Sequence, residues 1–158
     1  MMRPSRRALV ALTLAGSMTT LTACAAFSPI TTDENYDAAN GVTATVGSVV
    51  GRDLVVIGDK GKEGLLSGGL VNQGQEDVSV VITAKGQPQP VTVMVPRGGL
   101  VSLGSGADQT SVVVGNLTVA PGSLLDVTFS SPTGGDVVTG VPVLTPTAEY
   151  ATVTPTAD

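Results

Sequence analysis

Short runs in which apolar and polar residues alternate recur along the chain between residues 41 and 144. The run at 78–85 is the clearest, with Val78, Val80 and Ile82 on one face of the alternation. A period of two is typical of a β-strand that is buried on one side, and glycine, proline, asparagine and aspartate separate the runs as turn residues do. The pattern predicts eight or nine short strands, at residues 42–46, 54–57, 65–72, 78–85, 91–95, 100–103, 111–114, 125–129 and 137–144.

Three positions within this pattern predict local geometry. Pro121-Gly122 predicts a turn, because proline presets φ at the first central position and glycine accepts a positive φ at the second. The glycines within the run at 65–72 predict a bulge or a close approach of another backbone segment. Pro142 cannot donate a ladder hydrogen bond, so we expect it on an edge strand or at a strand end.

Strands at this spacing predict an all-β fold. No stretch is amphipathic enough at the helical period to predict a stable helix, and no repeat of about 20 to 50 residues stands out. We predict an Ig-like or cupredoxin-like antiparallel β-sandwich of eight or nine strands at residues 41–144. Aromatic residues make up 3% of the chain, so valine and other aliphatic side chains are expected to fill the core. Residues 145–158 are a Pro/Thr-rich tail without a core pattern, in which Tyr150 offers one anchoring side chain.

The N-terminal residues have the features of an export signal. Three arginines precede an apolar stretch at 8–15 and small or polar residues at 16–20, an arrangement typical of a secretory signal and too short for a membrane-spanning helix. The following segment, Leu21-Thr22-Ala23-Cys24, resembles the bacterial lipobox. We therefore predict that residues 1–23 are a lipoprotein signal peptide, cleaved between Ala23 and Cys24, and that the Cys24 thiol carries a diacylglyceryl group.

Two alternatives stay open at this terminus. Ala23-Cys24-Ala25 also fits an ordinary signal-peptidase cut, which would leave an incidental cysteine. Residues 5–9 resemble a twin-arginine export signal, although arginines in this region also serve general export. On the lipobox interpretation the protein is anchored to the outer face of the cytoplasmic membrane, since two or more acyl chains hold a protein there stably.

Residues 24–40 are polar and without periodicity, which predicts a flexible tether between the lipid and the domain. Its acidic cluster, Asp33-Glu34-x-x-Asp37, is interpreted as a solvated linker rather than a calcium site, because calcium requires about six or more oxygen ligands on a shaped loop. Without residues 1–23 the chain keeps five of its 8 basic residues and all 13 acidic ones, a net charge of −8. That charge repels nucleic acid and anionic headgroups, so membrane attachment is expected through the lipid, and no nucleic-acid partner is predicted.

The side chains that carry most enzymatic and metal chemistry are scarce. The chain has no histidine and a single cysteine, Cys24, so the usual general base and the commonest transition-metal ligand are missing. Met94 is the only methionine beyond residue 23, and we interpret it as a gap-filler on a strand face rather than a copper ligand. No Gly-x-Ser-x-Gly elbow or phosphate-binding loop occurs. We predict a protein that is not an enzyme, with no catalytic residue, cofactor or metal site.

Several short motifs carry a family resemblance. They are Asn40-Gly41 before a valine-rich strand, Gly51-Arg52-Asp53 before an apolar strand, Val71-Asn72-Gln73, and Pro121-Gly122-Ser123 before a strand ending in Phe129. With the lipobox, they make the chain similar to actinobacterial LpqE-like lipoproteins over most of its mature length. The resemblance implies a β-sandwich distantly similar to PCuAC-type periplasmic copper chaperones, and a place as a peripheral component of the cytochrome bcc-aa3 respiratory supercomplex. The paired histidines and methionines of the copper-chaperone pattern are absent, so no metal ligand carries over.

These observations predict a non-catalytic, membrane-anchored accessory lipoprotein that binds a membrane protein complex. Exposed strand edges and the loops at 59–64 and 104–109 are candidate contacts, with plain solvated connections as the other interpretation of the loops. The alternative function is a small-ligand or metal-binding module related to the copper chaperones. A third hypothesis is a cell-envelope structural protein with a glycosylated tail.

Overall fold

The computed structural model describes residues 40–87, 89–147 and 150. These residues form nine β-strands, and each strand is a run of mainly aliphatic and hydroxyl residues with turn residues at its ends. In chain order they are β1 (Val42–Val46), β2 (Val49–Ile57), β3 (Gly64–Asn72), β4 (Val78–Ala84), β5 (Val91–Val95), β6 (Leu100–Leu103), β7 (Val112–Val114), β8 (Leu124–Ser131) and β9 (Gly135–Leu144). Within the described ranges, no helix is long and apolar enough to cross a membrane.

The strands lie in two layers. The first, which we call the β8 layer, has the order β5-β4-β8-β9 and is antiparallel throughout. The second, which we call the β3 layer, contains β1 paired with β2, β2 paired with β3, and both β6 and β7 paired with β3. The two layers are joined by a parallel pair between β2 and β9. The predicted cupredoxin-like β-sandwich is thus confirmed, as a nine-stranded, nearly closed one.

β9 belongs to both layers. From Gly135 to Pro142 it pairs with β8, and at Val143 and Leu144 it pairs with β2. The amide of Val143 still donates to the Ser123 carbonyl at 2.9 Å, so the pairing on the β8 side continues past the proline. Of the two placements expected for Pro142, the structure shows the one near a strand end, in a strand that is central rather than at an edge.

Inward-facing side chains of both layers form one hydrophobic core. Val80 and Ile82 of β4 and Val127 of β8 are fully buried, and their polar neighbours along each strand point outward, as the alternation predicts. Phe129 is the largest fully buried side chain. Valine contributes more members to the core cluster than any other residue type, so the core is filled almost without aromatic rings.

Two of the local predictions are confirmed. Gly122 has a φ of 85°, and the amide of Ser123 donates to the Ala120 carbonyl at 3.1 Å, which is the geometry of a type II turn after Pro121. Gly68 has a φ of 142° and faces a bulge in β2. The main difference concerns β2 itself, because the strand expected at 54–57 begins at Val49 and includes the Gly-Arg-Asp motif.

Candidate functional site

A bulge interrupts the pairing between β2 and β3. The pairing is regular up to Arg52 and resumes at Val55, so two residues of β2, Asp53 and Leu54, oppose the single residue Gly68. Asp53 has a φ of 52°, a left-handed conformation that aspartate adopts more readily than most residues. This two-against-one arrangement is a β-bulge, a feature that re-aims side chains next to binding sites.

The bulge decides which side chains reach the outer face of the β3 layer. Strict alternation along β2 from Gly51 would send Asp53 inward and Leu54 outward. The extra residue reverses this order, so Leu54 is buried in the core while Arg52 and Asp53 are both exposed. Two opposite charges therefore lie side by side on one face.

Gly69 leaves a gap on that same face. It lies in cross-strand register between Arg52 of β2 and Ser102 of β6. Because neighbouring strands are about 4.8 Å apart, the backbones at Arg52 and Ser102 are separated by roughly 10 Å. Gly69 itself places no side chain between them, and the end of the Leu100 side chain lies over this position, 3.1 Å from where a Cβ atom of Gly69 would be. We call this depression the β3 groove, with β3 as its floor and the side chains of β2 and β6 as its walls.

The β3 groove contains a cavity of about 600 Å³, within the size range of small-molecule sites. The apolar part of its lining includes Val55, Val71 and Leu100, and the polar part includes Asp53, Gln109 and Tyr150. Tyr150 is half-buried here. The lining thus mixes apolar side chains with a larger number of polar and charged ones, a combination that suits an amphipathic small molecule.

The charged side chains of the β3 groove have no partner in the part of the chain that the structure describes. Neither the Arg52 guanidinium nor the Asp53 carboxylate makes a hydrogen bond or an ion pair there, even with each other. The ion pair found among those residues joins Lys62 and Asp59 at 3.2 Å, in the loop between β2 and β3. Five guanidinium donors and two carboxylate oxygens are thus available to a ligand.

Asn72, at the other end of β3, contrasts with this arrangement. It is 0% exposed, and its side-chain oxygen accepts hydrogen bonds from the Ser48 hydroxyl at 3.0 Å and the Gly74 amide at 2.9 Å. Its side-chain nitrogen donates to the carbonyls of Glu76 at 2.7 Å and Val95 at 3.2 Å. These bonds fix the turn between β1 and β2, the end of β3 and the end of β5, so the Asn72 corner is a structural element.

The outer face of the β8 layer is open and carries two exposed carboxylates, Asp126 and Asp136. Thr83, Thr128 and Val138 lie in one cross-strand row over β4, β8 and β9. Val138 is 65% exposed, Leu124 63% and Met94, on the edge strand β5, 57%. The three side chains lie in separate cross-strand rows and form no contiguous patch, so the face is a candidate partner surface only through its exposure.

The two loops expected as partner contacts have different surroundings. In the loop between β2 and β3, the Gly61 amide donates to the Leu117 carbonyl at 2.9 Å and the Leu117 amide donates to Lys62 at 2.8 Å. The buried Leu117 side chain holds this loop on the domain. In the loop between β6 and β7, the Gln109 side-chain oxygen accepts a hydrogen bond from Gly106 at 2.8 Å, and Gln109 reaches the β3 groove.

The remaining predicted site residues are placed as follows. Met94 lies on a strand face, but its exposure shows that it does not fill a gap, and the Ser79 hydroxyl lies 3.7 Å from its sulfur. Ala23 and Cys24, the predicted cleavage and lipidation residues, lie outside the described residues, as does the acidic cluster at 33–37. Over residues 40–87, 89–147 and 150, no three histidine, cysteine, aspartate or glutamate side chains form a group that could hold a metal ion.

Comparison with known proteins identifies the architecture. A scan against protein-family models gives no match, and a search of curated proteins gives no significant one. Among solved structures, the chain is similar to the apo PCuAC domain from PmoF1, with a TM-score of 0.55 and 15% identity over 66% of this chain and 100% of that domain. The chain has a PCuAC-like fold. The copper-bound PCuAC domain from PmoF2 is similar with a TM-score of 0.52 and 12% identity, over 66% of this chain and 99% of that one. The apo PCuAC domain from PmoF2 is similar with a TM-score of 0.54 and 12% identity, over 68% of this chain and 98% of that one.

The described residues of this PCuAC-like fold do not offer the kinds of ligand that copper prefers. Copper in proteins prefers histidine, cysteine and methionine ligands, and this chain has no histidine. In the part that the structure describes, the sole methionine is Met94, whose neighbour is a serine hydroxyl rather than a second soft ligand. The donor set is therefore unsuited to copper.

The β3 groove was not predicted from the sequence. Two signals were available: the run Ser67-Gly68-Gly69, which removes bulk from a strand, and the adjacent charges of Arg52 and Asp53 ahead of an apolar run. What alternation does not show is that Gly69 lies beside Arg52, because that depends on the pairing register of β2 with β3.

Proposed function

We propose that this protein is a non-catalytic accessory lipoprotein that binds a protein partner in a membrane complex. Cys24 carries the lipid, residues 25–40 serve as the tether, and the sandwich is the binding module on the outer face of the cytoplasmic membrane. The resemblance to LpqE-like lipoproteins makes the actinobacterial cytochrome bcc-aa3 supercomplex the first complex to test.

The observation that carries this proposal is a PCuAC-like sandwich whose residues do not supply a copper ligand set. A rigid β-sandwich without metal ligands or catalytic groups acts by presenting a surface. A lipid anchor adds to this by holding the surface at the membrane, where a complex of membrane proteins is the nearest large partner.

The outer face of the β8 layer is the best-suited surface. Its exposed apolar residues, Met94, Leu124 and Val138, are spread over β5, β8 and β9 and lie among hydroxyl side chains, with two exposed carboxylates at Asp126 and Asp136. Interfaces between proteins are depleted in charged residues at their centres and enriched in methionine. The Pro90 and Pro96 residues that flank β5 restrict pairing of another strand to the five residues between them.

Co-purification from membranes tests the proposal. The protein, tagged at its C-terminus and solubilised in a mild detergent, is expected to migrate with a membrane complex, and mass spectrometry would identify the other subunits. Cys24→Ser is the matched control for the anchor, and we expect most of this variant in the soluble fraction. Migration of the lipidated protein only as a free monomer would contradict the proposal.

A pair of variants tests the surface. Val138→Arg places a charge on the outer face of the β8 layer, and Leu100→Arg places the same charge on the opposite layer at a nearly equal exposure, 62% against 65%. We expect Val138→Arg to reduce recovery of the complex about tenfold, because a charge buried without a partner in an interface is strongly unfavourable, and Leu100→Arg to leave it unchanged. The opposite result would move the interface to the β3 layer.

The fold favours one second candidate, a metal-binding module, because the structural neighbours are PCuAC domains and one of them is copper-bound. Titration with Cu(I) and Cu(II) separates the two functions. Because the described residues lack the ligands that copper prefers, we expect no stoichiometric binding of either ion. A dissociation constant for copper below about one micromolar, which corresponds to a binding free energy of roughly 8 kcal/mol, would establish the metal function instead.

A further inference from the structure

We propose that the β3 groove binds an apolar α-amino acid, with Arg52 contacting its carboxylate and Asp53 its ammonium group. The site is on the opposite layer from the surface proposed for the protein partner, and it does not depend on that proposal.

The charges select a zwitterion. Arg52 and Asp53 are adjacent in the bulge, line the same cavity and form no ion pair with each other. A guanidinium binds a carboxylate through two parallel hydrogen bonds, and a carboxylate accepts hydrogen bonds from an ammonium group. A simple anion would be attracted by Arg52 but repelled by Asp53. A simple cation would be attracted by Asp53 but repelled by Arg52. An α-amino acid carries both charges on one carbon, so it can satisfy both side chains together.

The gap at Gly69 gives the ligand a place to lie. With no side chain on Gly69, a ligand can lie on the β3 backbone between Arg52 and the Ser102 hydroxyl, in one cross-strand row, once the exposed end of Leu100 that lies over Gly69 turns aside. Val71 and Leu100, the next row along, provide apolar contacts for the side chain of the ligand. Leu100 is 62% exposed, so covering it with an apolar ligand removes hydrocarbon surface from water.

A second cavity provides a comparison. A cavity of about 480 Å³ lies at the Asn72 corner, near Ser48, Gly74 and Glu76. Its single charged lining residue is Glu76, and the polar side-chain atoms of Asn72 are already used within the chain. It therefore lacks the pair of free opposite charges that the β3 groove offers.

Three probes that share one aromatic side chain test the charge requirement. L-phenylalanine is the zwitterion, N-acetyl-L-phenylalanine keeps only the carboxylate, and L-phenylalanine amide keeps only the ammonium group. With the full chain labelled with ¹⁵N, we expect L-phenylalanine to shift the backbone amides of Gly68 and Gly69 saturably. The two single-charge probes are expected to bind about tenfold more weakly, since each loses one charge-assisted hydrogen-bonding group.

Variants assign each charge. Arg52→Gln is expected to remove the preference for L-phenylalanine over its amide, and Asp53→Asn to remove the preference over the N-acetyl compound. Gly69→Val fills the gap and is expected to weaken binding of all three probes about tenfold. Gly140→Val is the matched control, because Gly140 also lies in a strand with a leucine side chain, Leu124, beside the added atoms, and Arg97→Gln controls for loss of an exposed arginine.

Two results would overturn the inference. One is the absence of saturable shifts at Gly68 and Gly69 with L-phenylalanine. The other is that all three probes bind equally well and that neither Arg52→Gln nor Gly69→Val changes their affinity. That result would show non-specific contact of the aromatic ring with exposed leucine. Thermal melts of each variant confirm that lost binding does not reflect lost folding.

Discussion

The Arg52–Asp53 bulge and the Asn72 corner both involve β3, yet they use their polar side chains in opposite ways. At the corner, every polar side-chain atom of Asn72 is bonded within the chain and none is exposed. At the bulge, both charged side chains are exposed and neither has a partner among the described residues. The first arrangement stabilises the fold, and the second leaves hydrogen-bonding capacity for another molecule.

The comparison shows that a sequence motif does not by itself mark a functional site. Gly51-Arg52-Asp53 and Val71-Asn72-Gln73 are both short motifs of the sequence. In the structure, burial and hydrogen-bond saturation separate them: a buried, saturated amide contributes to stability, while exposed, unpaired charges next to a cavity contribute little. Substitution of Asn72 should therefore lower the stability of the fold, whereas substitution of Arg52 should lower ligand binding with little effect on stability.

Asn72→Ala should have the largest effect on stability. The substitution leaves the Gly74 amide and the Glu76 and Val95 carbonyls without their side-chain partner. Since each unsatisfied buried polar group costs about 1–3 kcal/mol, we expect the free energy of unfolding to fall by about 3 kcal/mol in urea denaturation. Gln73→Ala, at the neighbouring exposed residue, is the control. A loss below about 1 kcal/mol would mean that water replaces the amide and that the corner is not structural.

Gly68→Ala should come next. A Cβ atom at Gly68 would lie 2.8 Å from the Arg52 carbonyl oxygen and 3.0 Å from that of Asp53, and the φ of 142° disfavours any side chain. We expect a loss of about 1–3 kcal/mol in the same measurement. At Gly69 the nearest atom to an added Cβ is the end of the exposed Leu100 side chain, at 3.1 Å, so Gly69→Ala should change stability by less than about 0.5 kcal/mol. Equal losses for the two alanine variants would argue against the bulge geometry.

Asp53→Val tests the backbone conformation of the bulge. A β-branched residue is rarely found at a φ near 52°, the value at Asp53, so we expect a loss of about 1–2 kcal/mol. Asp53→Gly removes the same carboxylate without that strain and should stay within about 0.5 kcal/mol of the parent. If both variants are equally destabilised, the carboxylate rather than the backbone is responsible, and Asp53 has a partner in the folded protein.

Arg52→Gln should have the smallest effect. An exposed guanidinium without an ion-pair partner contributes almost nothing to the folded state, so the midpoint of thermal unfolding should be unchanged, with a free-energy difference below about 0.5 kcal/mol. The same variant is expected to lose binding in the β3 groove. A variant that is as stable as the parent but has lost binding would show that Arg52 serves the ligand and not the fold.

The alternation of apolar and polar residues predicted the strands well, because in almost every strand the apolar positions are the buried ones. The inward faces expected for Ile82 and Phe129, and the turn at Gly122, follow from side-chain period and backbone sterics alone. β2 departed from the prediction because a bulge adds one residue to one strand only. The alternation therefore shifts between Gly51 and Leu54, although the two segments belong to one strand.

The candidate site needed information that a single sequence does not contain. Arg52, Gly69 and Ser102 lie far apart in the chain and meet only through the register of three strands. Similarly, the charged loop after β2 has the composition of a free contact loop, but backbone hydrogen bonds to the buried Leu117 hold it on the domain. Sequence periodicity shows which face a residue occupies, whereas strand order decides its neighbours.

The position of β9 in both layers has a consequence for how the domain opens. Neither layer can separate from the other without breaking the parallel pairs at Val56–Val143 and Ile57–Leu144, and these pairs join segments that are far apart along the chain. The amide of Val143, which donates to the Ser123 carbonyl, should therefore exchange with solvent only through global unfolding, with the slowest hydrogen exchange in the molecule. Such a closure formed by distant segments also predicts slow refolding, because a long loop of chain must be ordered before its two ends gain their hydrogen bonds.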